Sequence, residues 1–69
     1  MNKEIIFLIE ESIEGGYEAR AIGQSIFTEG ETYEEIKMNI KDAIKCHFEE
    51  DNMPGIVRLH LVKDEVMAL

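Results

Sequence analysis

The segment Gly30 to Asp51, GETYEEIKMNIKDAIKCHFEED, constrains this chain more than any other stretch. Tyr33, Ile36, Ile40, Ala43, Ile44, His47 and Phe48 recur at steps of three and four, which places them in one stripe along a helix. Glu35, Lys37, Lys41, Asp42 and Lys45 turn away from that stripe. Thr32 supplies an N-cap oxygen, Glu35 stands three residues on to complete a capping box, and Glu34 adds negative charge to the first turn. The spacing predicts a helix over about 32–50, ended by Asn52, Met53, Pro54 and Gly55, because proline cannot continue it. A helix with one apolar stripe must bury it on something, and the rest of the chain reads as strands.

Residues 3–12, KEIIFLIEES, are β-branched and aromatic, and IEGG follows with the two glycines that a tight hairpin needs. Tyr17 to Ile22 alternates Tyr17, Ala19 and Ala21 against Glu18, Arg20 and Ile22, so one face is apolar and the other mixed. A short third strand is expected over Ser25 to Thr28. Ile56 to Val62 reads as a fourth, with Val57, Leu59 and Leu61 on one face and Arg58 and His60, with Lys63 close behind, on the other. The fold class is therefore α+β, in the order β-β-β-α-β, as one domain spanning residues 1–69. A single helix covers one face of a sheet. The first strand is nevertheless apolar on both sides, Ile5, Phe7 and Ile9 against Ile6 and Leu8. A second copy of the chain is expected to close the remaining face or an edge, as a dimer or tetramer, through Ile6, Leu8, Arg20, Arg58 and His60.

Composition narrows the partners. At 69 residues and 7.9 kDa the chain folds with about 4,400 Å² of surface exposed if compact, a small core by any measure. Seven Lys and Arg stand against fifteen Asp and Glu, a net charge of -8, so the chain lacks the basic stripe that draws nucleic-acid phosphates. The excess of acid suits a basic partner instead. Cys46 is the single cysteine and has no internal mate, which fits a reducing, cytoplasmic setting. The longest apolar run, Ile5 to Ile9, is too short for a membrane span or a signal-peptide core.

Gly15, Gly16 and Tyr17 after the first strand, then Gly30, Glu31, Thr32, Glu34, Glu35, Asn39 and Ala43 at the helix start, form an ordered set. That set resembles the small domain of the HicB family of antitoxins over residues 4 to 62. The resemblance implies a partial ribonuclease-H-like fold, with a three-stranded meander, a crossing helix, and a last strand returning parallel beside the first. It implies loss of the nuclease acids, so no enzyme is expected. It further implies binding and occlusion of a small basic HicA-type toxin that cleaves mRNA; from the chain's own charge, an acidic surface around Glu10, Glu11, Glu14, Glu29 and Glu31 is expected to steer that partner. Family members carry a Pro-Gly-Cys loop where this chain has Ile22, Gly23, Gln24 and Ser25, so that loop's contacts are not carried over. No DNA-binding module is expected after Val62, and the chain is expected to act as a stand-alone domain. The alternative is a solitary homo-oligomer without a toxin, which binds a small ligand or acts as a scaffold.

Other chemistry is thinly supported. Cys46, His47 and His60 are the metal-ligating types besides carboxylates, yet neighbouring helix residues point about 100° apart and a site needs three or four convergent ligands. No metal and no cofactor are expected. Gly15 and Gly16 lack the helix N-terminus and lysine of a phosphate cradle, and read as a turn.

Overall fold

The computed structural model describes residues 3–63 and 65–69. Strand β1 (Glu4–Glu11) leads through a five-residue turn into β2 (Tyr17–Ala21), which pairs antiparallel with it, Phe7 opposite Ala21 and Glu11 opposite Tyr17. Gly15 and Gly16 hold φ of 96° and 84° there, values that side chains with a Cβ rarely adopt. Strand β3 (Phe27–Gly30) adds antiparallel to β2. Helix α1 (Tyr33–His47) and a 3₁₀ turn (Glu50–Asn52) carry the chain across the sheet, and β4 (Ile56–Val62) returns parallel to β1. The order in space is β3-β2-β1-β4. The β-β-β-α-β expectation therefore holds, including the parallel last strand.

The core lies between α1 and one face of the sheet. Ile5, Phe7 and Ile9 of β1, Ala19 and Ala21 of β2, and Ile26 meet Ile36, Ile40 and Ile44 of α1, and all are buried. Alternation along β1 delivers the first three, and the small side chains of β2 let α1 settle close. The helix backbone lies over β2 and β3 rather than β4. At its start the Thr32 hydroxyl accepts a hydrogen bond from the Glu35 N–H at 3.0 Å. Only that arm of the expected capping box forms, because the Glu35 side chain lines a surface hollow instead.

Four boundaries and exposures differ from expectation. Strand β3 begins two residues later, because the Ala21 N–H donates to the Ile26 carbonyl and closes a turn before pairing starts. The helix stops at His47, where Phe48 takes extended angles and its N–H donates to Ile44. Phe48 packs against the core in consequence, and His47, placed on the stripe by spacing, is exposed with its ring edge-on to Phe48 at 4.9 Å. Val57 and Leu61 do lie on the helix side, opposite Ile5 and Ile9, yet remain exposed because α1 does not reach them. No helix among the described residues is long and apolar enough to cross a membrane.

Candidate functional site

The residues behind the sequence resemblance hold one end of the molecule together. A Cβ on Gly16 would stand 2.9 Å from the Gly30 carbonyl oxygen, and one on Gly30 would stand 2.9 Å from the Ile36 nitrogen. Both approaches are to backbone, so only glycine lets the turn close on β3 and β3 close on α1. Tyr17 meets Tyr33 edge to face at 5.9 Å, and the Asn39 amide donates to the Glu29 carbonyl at 2.8 Å.

Carboxylates gather around this packed end. Glu10, Glu18 and Glu29 are direct cross-strand neighbours on β1, β2 and β3, on the face opposite α1. Like charges placed opposite one another destabilise a sheet, so this row is tolerated against the local physics. One cation tempers it: an Arg20 guanidinium nitrogen lies 3.8 Å from Glu10, with both side chains largely exposed. Glu14 in the turn, with Glu31 and Glu35 at the helix start, completes the group around two open hollows of about 640 and 510 Å³. Glu11, Glu14, Glu18, Glu29, Glu31 and Glu35 make no ion pair among the described residues.

All five acids expected at a partner surface, Glu10, Glu11, Glu14, Glu29 and Glu31, therefore line this end. Glu18 and Glu35, outside the expected set, join them. The sequence places Glu18 on a mixed strand face and Glu35 at a helix cap; the alternation in β2, which sets Glu18 on the side of Arg20, is the signal that points here. The carboxylates do not converge as ligands: among the described residues no three His, Cys, Asp or Glu side chains stand close enough to hold a metal ion. Cys46 and His47 lie exposed at the far end of α1, away from His60 on β4.

The expected self-contact residues also share a surface. Ile6 stands beside Arg58, and Leu8 stands between Arg20 and His60, so all five lie on the sheet face opposite α1. Phe27, opposite Arg20, and Ile22 extend the apolar band and are 62% and 56% exposed. Arg58 is paired with Glu4 of the same chain. Lys63 lies past the end of β4 and lines the larger acidic hollow. The open face thus runs from an acidic end to an apolar band studded with Arg20, Arg58 and His60.

Two relatives match the sequence over three quarters of its length or more. A UPF0150 protein of Thermotoga maritima is 48% identical over 67 residues, covering 97% of this chain and 94% of the relative. A UPF0150 protein of Archaeoglobus fulgidus is 54% identical over 52 residues, covering 75% of this chain and 77% of the relative. No protein-family model matches the chain, and no solved structure matches it significantly.

Proposed function

The chain belongs to the UPF0150 family, and from that premise and the acidic end we propose that it is a non-catalytic, cytoplasmic protein-interaction domain, a HicB-like antitoxin. Its partner is a small basic toxin of the HicA type, whose mRNA-cleaving surface it occludes. The observation that carries this is the gathering of Glu10, Glu11, Glu14, Glu18, Glu29, Glu31 and Glu35 at one end, six of them without an ion pair among the described residues. Carboxylates that repel one another within the monomer are relieved when a cationic surface arrives, and their field steers that surface in from a distance. Too far apart to share a metal, they are well spread to meet several Lys and Arg side chains. The HicB resemblance of residues 4 to 62 supplies the type of partner.

The alternative, a solitary homo-oligomer with no toxin, draws on a different observation, the exposed apolar residues of the open face and of β4. One experiment separates the two. The tagged chain is purified from its own host at moderate salt, its companions are identified by mass spectrometry, and their RNA cleavage is assayed with and without it. A small basic ribonuclease in fixed ratio, silenced by the chain, is the expected result. With Glu18→Lys and Glu29→Lys together, association should slow at least about tenfold at low salt and much less at high salt. Recovery of the chain alone would overturn the antitoxin reading and leave the oligomer.

A further inference from the structure

We infer that the second copy joins along β4, edge to edge and antiparallel, about a two-fold axis at Leu59. This deepens the homo-oligomer part of the proposed function and rests on it. Three observations lead there. First, β4 is an outer strand of seven residues, and Ile56, Val57, Leu61 and Val62 on it are all at least 39% exposed. Edges of this kind are normally blunted by charge, proline or a bulge; β4 carries one fixed charge, Arg58, which Glu4 of the same chain pairs, and its single proline neighbour, Pro54, lies outside it.

Second, the hydrogen-bonding groups are self-complementary. The Ile56 N–H donates to the Lys3 carbonyl, so Ile56 faces β1. Alternation then turns the N–H and C=O groups of Val57, Leu59 and Leu61 outward. Centred on Leu59, these meet the partner's Leu61, Leu59 and Val57 in hydrogen-bonded pairs, and all six outward groups of each copy are used. On the helix side this register sets Val57 against the partner's Leu61, filling the strip that α1 fails to cover. On the other side Ile56 meets the partner's Val62.

Third, charge and area agree. In a chain of net charge -8, β4 is the one strand or helix among the described residues without a carboxylate, so two copies repel least there. The accessible surface is 5671 Å², against about 4,400 Å² for a compact chain of this mass. That excess is shared between β4 and the residues that follow it, beside the ~800 Å² per partner that an ordinary stable interface covers. Part of it is the apolar tail after β4, where Val66 and Met67 are 88% and 73% exposed.

Sedimentation equilibrium and oxidative cross-linking test this on the full chain. The unaltered chain should sediment at twice its chain mass. Leu61→Pro removes one outward N–H and leaves the ladder to β1 intact, so the apparent mass should halve with the far-ultraviolet circular dichroism unchanged. In a Cys46→Ser background, Leu59→Cys should form a disulfide dimer on oxidation, since hydrogen-bonded partners lie about 5.5 Å apart at Cα. Arg58→Cys, two residues out of line with its own copy, should not. If Leu61→Pro unfolds the chain, the Leu59→Cys result decides alone. A dimer that survives Leu61→Pro, fails to cross-link at position 59, and dissociates with Phe27→Lys would overturn the proposal in favour of the open face. A monomer at the highest soluble concentration would overturn it together with the homo-oligomer reading. Loss of a basic partner in Glu18→Lys with the dimer intact would leave it standing, since the acidic end lies elsewhere.

Discussion

The two edges of the sheet are finished in opposite ways. Strand β3 has four residues; its Glu29 carbonyl is capped by the Asn39 amide of α1, and its Gly30 sits directly beneath Ile36. Strand β4 has seven residues, lies outside the reach of α1, and keeps apolar side chains exposed on both faces. The helix begins next to β3, so its first turns cover that side, and a crossover long enough to return parallel leaves the other side bare. A single helix on a four-stranded sheet closes one edge and leaves the other open.

Mutations can break this contrast, and the largest effects belong on the closed side. Ile40, 1% exposed on α1, should lose about 2–5 kcal/mol of stability on Ile40→Ala in urea denaturation, because a cavity opens in the core. Leu61→Ala on β4 should cost less than about 0.5 kcal/mol in dilute solution. Equal losses would mean that β4 is as much a part of the monomer's core as α1. Asn39→Ala should cost about 0.5–1.5 kcal/mol and speed amide exchange in β3 more than in β4, as one edge carbonyl loses its cap. The smallest effect has the opposite sign. Glu18→Gln should raise stability by about 0.2–1 kcal/mol at low salt, and molar salt should erase the gain, since the repulsion from Glu10 and Glu29 is exposed and screened.

Much of the covered half could be read from residue order. Three-and-four spacing from Tyr33 to Phe48 and alternation from Ile5 to Ile9 identify the two inner surfaces, because the periods of helix and strand are local properties. The parallel return of β4 came from the HicB resemblance, and the structure agrees. What stayed hidden depends on distant segments meeting. Nothing local shows that α1 stops short of Val57 and Leu61, or that Glu18 and Glu35 from separate elements border the same hollow as Glu14. Even the loss of His47 from the buried stripe, with Phe48 kept, follows from where the core lies, since both residues fit the stripe by spacing alone.

The parallel pairing of β1 with β4 also sets an order of events. Strand β1 is central, flanked by β2 on one side and β4 on the other, and its pairing with β4 joins Glu4 to Ile56 across most of the chain. Such distant pairing must close a long loop before it gains anything, so it forms late, after the β1–β2 hairpin and α1 are in place. During synthesis the β4 flank of β1 therefore stays open until β4 itself leaves the ribosome. In that interval a nascent chain exposes the edge of β1, and afterwards it exposes the edge of β4, so the surface available for joining another chain moves outward by one strand as folding completes.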